Sequence, residues 1–225
     1  MPNKIFPSTR GFVVKKHRKL LGRLPWLFAV AVFSVHAEQD ITARVGTLGL
    51  GVEYGHSLSE KMGIRFGLNG AARDFSSTES DIDYDFTMKL RSADVLVDWR
   101  PFGGVFFTSF GALYNKNKLT ASAKTSAPVK VGNTTYPSGT NLTGEVTFNT
   151  LAPYLGVGWG SSPKRTGFIL RGDLGLVYQG KPKVKLSSNS GISQADLDRE
   201  TSDLQSSVDD YKYYPHVGFS IGARF

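Results

Sequence analysis

Apolar and polar residues alternate with a period of two along most of the chain after residue 46. The alternation occurs in seven segments: 47–54, 62–72, 84–99, 106–114, 146–159, 168–178 and 217–225. A period of two places successive side chains on opposite faces of a β-strand, so each segment is predicted to be a strand with one apolar face. The apolar positions change phase near Arg91–Ser92, which predicts a β-bulge there.

Strand length and the pattern of connections distinguish two kinds of all-β protein. A soluble sandwich also alternates, but its strands average about 5–6 residues, whereas a tilted membrane strand needs about 9–11. Several segments here are that long. Short connections at 55–61, 100–104 and 160–166 alternate with longer ones at 76–83, 120–143 and 187–210. Short turns on one side and long loops on the other are typical of outer-membrane barrels.

Aromatic residues collect at both ends of the predicted strands. The set at the short-turn end is Tyr54, Trp99, Phe102, Phe106, Trp159, Phe168 and Phe225. The set at the long-loop end is Phe75, Tyr84, Phe86, Tyr114, Phe148, Tyr178, Tyr213 and Tyr214. Two such belts match the two interfaces between a bilayer and water. We therefore predict an all-β fold, a transmembrane antiparallel up-and-down β-barrel.

The number of strands is predicted to be eight. A single-chain bacterial barrel has an even number of strands, and seven are clear. Either a short strand over Ile41–Val45 completes the set, or one of the connections is wrongly assigned. The last long loop contains one further element. Leu197, Leu204 and Val208 recur near helical spacing among acidic residues, which predicts a short amphipathic helix over Gln194–Val208, either a lid on the barrel rim or a partner-binding helix.

Residues 1–37 have the composition of an export signal. They hold seven of the 27 Lys and Arg residues and none of the 19 Asp and Glu residues. An apolar run over 24–35 follows, shorter than the roughly 20 residues that cross a bilayer as a helix, and the small residues near Ala37 suit cleavage after it. We assign 1–37 to a signal peptide and 38–225 to a barrel in the outer membrane of a Gram-negative cell.

Composition argues against several classes of function. The formal charge of +8 falls to about +1 without residues 1–37, which argues against a nucleic-acid partner. There is no Cys for disulfides or thiolate metal sites, and no Gly-rich phosphate loop. His56 and His216 lack the nucleophile and acidic partner that a catalytic set requires. We therefore predict no enzyme activity, no cofactor and no metal site.

Charged residues on the polar strand faces are predicted to line the barrel interior. They are Glu53, Arg65, Asp94, Asp98, Arg171, Asp173 and Arg224. Buried charges are costly unless paired, and an eight-stranded lumen is about filled by its own side chains. Two interpretations remain open. The residues form a salt-bridge network that plugs the barrel, or they line a narrow polar path in which Asp94 and Asp98 favour cations.

The long-loop side carries an acidic rim of Glu79, Asp81, Asp83 and Asp85. Such a rim could concentrate cations or basic amino acids, and the alternative is a set of solvated surface loops. The spacing of its three aspartates resembles the start of a calcium loop, but the following Gly and the distal Glu are missing. Lys181, Lys183 and Lys185 share one strand face near this rim, where they could meet lipopolysaccharide phosphates or be solvated.

Four stretches carry a likeness to a known group of proteins. They are APYLGVGW at 152–159, YQGKPKVKL at 178–186, KYYP at 212–215 and RVGT at 44–47. These stretches resemble the small outer-membrane barrels that include the carbapenem-associated ornithine-uptake porins, although loop 120–143 matches poorly. The resemblance implies an eight-stranded barrel whose terminal Phe225 is similar to the signal read by the barrel-assembly machinery. No transport residue matches by position.

Two functions are consistent with these observations. The first is porin-like uptake of small solutes, with cations favoured by the charged inner face. The alternative is a non-conducting structural or surface-interaction barrel that presents its long loops. The expected partners are the lipid bilayer, lipopolysaccharide and the barrel-assembly machinery, with small solutes added under the first hypothesis.

Overall fold

The computed structural model describes residues 38–79, 82–161 and 167–225. The predicted signal peptide, 1–37, lies outside the described residues, so that assignment stays a prediction. The elements are β1 (Gln39–Gly46), β2 (Gly49–Ser57), β3 (Met62–Glu79), β4 (Ile82–Trp99), β5 (Phe106–Asn115), β6 (Lys118–Thr125), β7 (Val129–Val131), β8 (Thr134–Tyr136), β9 (Asn141–Thr147), β10 (Leu151–Gly160), β11 (Gly167–Tyr178), β12 (Lys183–Ser187), α1 (Gln194–Val208) and β13 (Tyr213–Arg224).

Eight of the strands close into a barrel in the order β1-β2-β3-β4-β5-β10-β11-β13. Every neighbouring pair is antiparallel, and β13 completes the ring by pairing with both β11 and β1. Closure gives each backbone N–H and C=O a partner within the ring, which is the condition for a sheet to exist in lipid. The predicted barrel of eight strands is confirmed. The missing strand is β1, which is longer than the predicted Ile41–Val45.

The outward face of the barrel is apolar around its whole circumference. Each barrel strand contributes large apolar side chains that are exposed, among them Leu68 on β3 and Leu155 on β10, at 62% and 63% exposure. Soluble proteins rarely expose a continuous apolar surface of this extent, so the band is the lipid-facing surface. Among the described residues, no helix combines the length and the hydropathy that a membrane span requires.

Strands β3 and β4 are 18 residues long and rise well beyond the band. The predicted loop at 76–83 is therefore wrong, because β3 continues to Glu79 and β4 begins at Ile82. The predicted bulge is also wrong, since the register through Gly70↔Arg91 and Asn69↔Ser92 is continuous. The apolar positions of β4 change phase because the surroundings of the strand change along its length. In the bilayer the outward face of β4 meets lipid, whereas above it the outward face meets water and the inward face becomes the apolar one.

A second structure sits on the long-loop end of the barrel. The upper part of β4 pairs with β6, β6 with β9, and β9 with β12, which extends the sheet above the membrane. The β7–β8 hairpin and α1 pack over its inward face. The shared core is formed by Ile82, Tyr84, Ala123, Val129, Val131, Leu142, Leu186 and Leu197. We call this structure, residues 71–79, 82–89, 118–147 and 183–208, the extracellular lobe.

The lobe changes the interpretation of two predicted features. The helix expected over Gln194–Val208 is confirmed with those bounds, and it packs against β12 and β7. Tyr84 was predicted to belong to the long-loop aromatic belt, and that assignment is wrong, because Tyr84 is buried in the lobe core and Phe86 packs beside it. The remaining belt residues at this end include Tyr114, Tyr178 and Tyr213, which are exposed.

The first turn of α1 is fixed to the β7–β8 hairpin by one carboxylate. Ser193 caps the helix by accepting a hydrogen bond from the Asp196 backbone N–H at 3.2 Å. The Asp196 carboxylate accepts from the Asn133 backbone N–H at 2.9 Å and from the Tyr136 hydroxyl at 2.8 Å. These hydrogen bonds, the one from Asn133 foremost, hold the pKa of Asp196 well below its ordinary value.

Replacing Leu155 with Arg places a charge in the middle of the lipid-facing band. We expect this to destabilise the barrel by about 2–4 kcal/mol, as charges do near the bilayer midplane. Urea unfolding from lipid vesicles measures the effect. The control is Ser187→Arg, on the exposed outward face of β12 above the membrane, which should change stability little. Equal effects of the two substitutions would contradict the assignment of the band to lipid.

Acidification should undock the hairpin from α1. The pKa of Asp196 is lowered on folding, so its stabilising effect is complete above the ordinary Asp pKa of about 3.9 and is lost as pH falls below it. Hydrogen exchange over 194–208, corrected for the intrinsic rate at each pH, should show protection that falls below about pH 4. Asp196→Asn should reduce protection at neutral pH and flatten the pH profile. Asp198→Asn, at an exposed site, should leave the profile unchanged.

Candidate functional site: the barrel interior

The inward faces of the strands carry a charge-balanced set of buried side chains. The cations are Arg44, Arg65, Arg100, Arg171 and Arg224, and the anions are Asp40, Glu53, Asp94, Asp98 and Asp173. We call these ten residues the lumen network. Because an ion transferred from water into a protein interior is strongly destabilising unless it is paired, equal numbers of the two signs are what a narrow barrel requires.

Arg65 lies at the centre of the lumen network and is only 1% exposed. Its guanidinium donates to Glu53 Oε2 at 3.0 Å and to Asp98 Oδ1 at 2.9 Å. It also donates to Asp173 Oδ1 at 2.9 Å. Arg65 stands on β3 and Asp173 on β11, which are four places apart in the ring of eight and therefore face each other. The side chain of Arg65 thus crosses the full width of the lumen.

Glu53 joins the centre of the network to its neighbours. Its carboxylate pairs with Arg44 and Arg171 as well as with Arg65. Arg44 also donates to Asp94 Oδ2 at 3.1 Å. Three guanidiniums around one carboxylate link four strands, since Arg44 comes from β1, Glu53 from β2, Arg65 from β3 and Arg171 from β11.

A second carboxylate, that of Asp40, links two arginines of the lumen network near the short-turn end. Asp40 Oδ2 accepts from Arg224 at 2.5 Å and from Arg171 at 3.4 Å. Arg100 and Arg65 both lie over the ring of Phe107, with their Cζ atoms 4.8 and 5.4 Å from its centroid. A cation above an aromatic ring is stabilised by the ring quadrupole.

The structure places all seven predicted lumen residues in the interior, where each is buried. Four further interior residues were not predicted from the sequence, namely Asp40, Arg44, Arg100 and Phe107. Two of these could have been found, because Asp40 and Arg44 alternate with the apolar residues of β1 just as Glu53 does in β2. Arg100 lies in the predicted turn at 100–104, where alternation carries no information. Phe107 lies in the predicted strand 106–114, on the polar face, where an apolar side chain does not stand out.

Glycines make room for these side chains. A Cβ atom added at Gly67 would lie 2.5–2.8 Å from the carboxylate atoms of Asp94, which is closer than carbon and oxygen can approach. A Cβ at Gly175 would lie 2.6–2.7 Å from the ring of Tyr154. A lumen of eight strands therefore holds large charged and aromatic groups only where the facing residue has no side chain.

An apolar layer adjoins the lumen network, mostly on its long-loop side. It consists of Leu48, Leu96, Leu113, Ala152, Tyr154 and Val177, with Tyr214 packed against it. The alternation over 47–54 predicts that Leu48 lies on the same apolar face as Leu50, and that prediction is wrong. β2 begins at Gly49, whose φ of 103° turns the chain, so Leu48 belongs to the turn and points inward.

The lumen network borders a small cavity. A cavity of about 20 Å³ lies at the short-turn end, against Arg65, Arg100 and Arg224. This volume holds about one water molecule. His56 lines the same cavity, and His216 lies buried beside Tyr154 with ring centroids 5.7 Å apart. Among the described residues, no three His, Asp or Glu side chains are grouped so as to hold a metal ion. The absence of enzyme activity stays a prediction.

The two described aspartates of the acidic rim lie away from the barrel mouth. Asp83 and Asp85 project from the outward face of the extracellular lobe, where they accept hydrogen bonds from Thr78 at 2.8 Å and Ser76 at 2.6 Å. Asp81 and the side chain of Glu79 lie outside the described residues. Phe225 is exposed at the short-turn end and exchanges two 3.0 Å backbone hydrogen bonds with Gln39. Its role as an assembly signal stays a prediction.

The closed ring, the apolar band and the ionic interior define an outer-membrane β-barrel of eight strands. Solved structures bear this out. The chain is similar to CarO2 of Acinetobacter baumannii, with 24% identity and a TM-score of 0.60 over 84% of this chain and 98% of that one. It is also similar to CarO of the same organism, with 23% identity and a TM-score of 0.57 over 83% of this chain and 97% of that one.

A more distant likeness is to Ail, the attachment invasion locus protein of Yersinia pestis, with 13% identity and a TM-score of 0.39 over 85% of this chain and 100% of that one. No protein-family model and no curated protein sequence matches the chain. The resemblance to the carbapenem-associated outer-membrane proteins is thus confirmed at the level of the fold, as is the location in the outer membrane.

Replacing Arg65 with Met should unbalance the lumen network. The substitution leaves the carboxylates of Glu53, Asp98 and Asp173 short of a partner, and we expect a loss of about 3–5 kcal/mol in unfolding free energy. Urea unfolding in detergent micelles or vesicles measures it. Lys118→Met is the matched control, because its ion pair with Glu145 at 2.8 Å is well exposed and contributes at most about 1 kcal/mol. Similar losses in both variants would contradict a stabilising role for the network.

Proposed function

We propose that the protein is a non-conducting outer-membrane barrel that anchors the extracellular lobe at the cell surface. The observation that carries the proposal is the guanidinium of Arg65, which joins opposite walls of the barrel through Glu53, Asp98 and Asp173. A solute moving along the barrel axis would have to break several buried ion pairs at once. The cost of separating buried, hydrogen-bonded charges opposes such movement.

The apolar layer supports the same conclusion. Leu113 and Val177 are buried in the interior and provide no ligand for a hydrated ion. A water-filled pathway needs polar groups or a bore wide enough for hydrated solutes, and barrels of eight strands are about filled by side chains. The lumen network therefore opposes permeation because its ion pairs would have to separate. The apolar layer opposes it because a solute would have to lose its hydrating water there.

The extracellular lobe is the part that such a barrel would present. It has its own hydrophobic core, and α1 is held to the β7–β8 hairpin by the Asp196 hydrogen bonds. A loop serving only to connect two strands needs neither. This ordered lobe supports the surface-interaction form of the proposal over a purely structural role in the envelope.

Porin-like uptake is the competing function, and it would require both interior layers to rearrange. The features that favour it are the buried carboxylates Asp94 and Asp98, which would attract cations if the lumen were to open. Those carboxylates would then determine which solutes enter, and they would favour small cationic ones.

Planar-bilayer recording separates the two functions. The full chain, refolded and inserted at single-molecule density, should give no discrete channel events, and Asp94→Ala should leave the baseline unchanged. A porin of known conductance, recorded in the same bilayers, controls for insertion and seal. Channel events whose cation selectivity falls with Asp94→Ala would overturn the proposal in favour of uptake.

Liposome swelling provides a second measurement on the same preparation. Liposomes containing the protein should swell no faster than empty ones in a panel of neutral, acidic and basic amino acids. Swelling confined to the basic amino acids would again favour uptake, because that pattern is what Asp94 and Asp98 would impose on an open lumen.

A further inference from the structure

A cluster of cations lies on the outer surface where β4 changes partners. β4 pairs with β5 up to Ser92↔Asn115 and with β6 from Lys89↔Lys118, so the intervening residues border a gap between strands. Lys89, Arg91, Lys116 and Lys118 surround this gap. Arg91 and Lys116 are linked through the backbone, since the Lys116 N–H donates to the Arg91 carbonyl at 2.9 Å.

The arrangement of these cations would by itself destabilise a β-sheet, because like charges repel. Lys89 and Lys118 are direct cross-strand partners, and like charges directly opposite each other destabilise a sheet. Lys118 has one anionic partner, Glu145 at 2.8 Å. Within the described ranges, no carboxylate forms an ion pair with Lys89, Arg91 or Lys116. Unlike the buried charges of the lumen network, these three cations are exposed, so an anion from outside the chain can pair with them.

The gap opens into a surface cleft of about 670 Å³ with two kinds of wall. The upper wall is formed by the four cations. The lower wall is formed by Leu68, Ala93 and Tyr114, which belong to the lipid-facing band. The Lys116 ammonium lies 5.2 Å from the centroid of the Tyr114 ring, so the aromatic belt and the cations meet at this level.

The position of the cleft determines which anion can reach it. Tyr114 marks the interface between the apolar band and water at the long-loop side, which faces the cell exterior. The phosphates of the outer-leaflet glycolipid lie at this height and its acyl chains lie directly below. A ligand that fills both walls must therefore carry anionic groups above a hydrocarbon part.

We propose that this cleft binds the phosphorylated, acylated headgroup of lipopolysaccharide, lipid A. Lys89, Arg91 and Lys116 pair with its phosphates, and Leu68 and Ala93 contact an acyl chain. Arg91 supplies the planar donor set that suits a phosphate, and the lysines add charge. The site lies on the outer surface, so it does not depend on whether the barrel conducts.

Lipid binding to the full chain in detergent micelles tests the site. Native mass spectrometry would be used to titrate the protein with bisphosphorylated lipid A, with dephosphorylated lipid A and with inorganic phosphate. Wild-type protein should bind the bisphosphorylated lipid in preference to the other two. Lys89→Gln/Arg91→Gln should weaken that binding by about fivefold for each cation removed. Lys116→Gln/Lys118→Gln is a second, independent variant with the same expectation.

The matched control is Lys124→Gln/Lys130→Gln, which removes two exposed lysines further from the membrane and should bind as the wild type does. Heat-modifiable migration on a gel confirms that each variant is folded. Equal binding by the site variants and the control would overturn the proposal. Equal binding of phosphorylated and dephosphorylated lipid would overturn it as well. Inorganic phosphate that binds as tightly as the lipid, with the same dependence on Arg91, would overturn the acyl-chain contact.

Discussion

Charge compensation inside a narrow barrel is the constraint on which the rest of this structure depends. Eight strands enclose too little space to hydrate an ion, so every inward charge needs an opposite charge within reach. Arg65 satisfies this condition for three strands at once by pairing with Glu53, Asp98 and Asp173. Glycines such as Gly67 complete the arrangement, because a side chain there would occupy the space of a carboxylate.

The environment along the barrel axis decides which face of a strand is apolar. β4 shows this within 18 residues, since Val95 faces lipid and Asp94 faces the ionic interior, whereas Asp85 faces water and Tyr84 enters the core of the extracellular lobe. The pleat continues unchanged between the two regions. One strand thus joins a membrane protein that is polar inside to a lobe that is apolar inside.

Among the described residues, the charges of the barrel interior balance one another and three cations of the outer cleft lack a carboxylate partner, and this difference indicates different functions for the two surfaces. Inside, ten ionic groups are balanced and buried, which supports a closed and rigid barrel. Outside, Lys89, Arg91 and Lys116 lack a carboxylate partner among the described residues and lie above an apolar wall. The interior therefore balances its charge without a ligand, and we propose that an anionic lipid fills the outer cleft. The ordered lobe above this cleft is then held at a fixed height over the membrane.

The sequence by itself determined the class of fold, the aromatic belt at the short-turn end, the helix over Gln194–Val208 and the seven predicted lumen residues. These features follow from alternation and helical periodicity, which are properties of short segments. The tertiary structure alone decided that 76–79 and 82–83 belong to β3 and β4, that Leu48 turns inward, and which charges meet. Arg65 and Asp173 are far apart in the chain and become partners only when β13 closes the ring, because register and closure set distances that no local pattern contains.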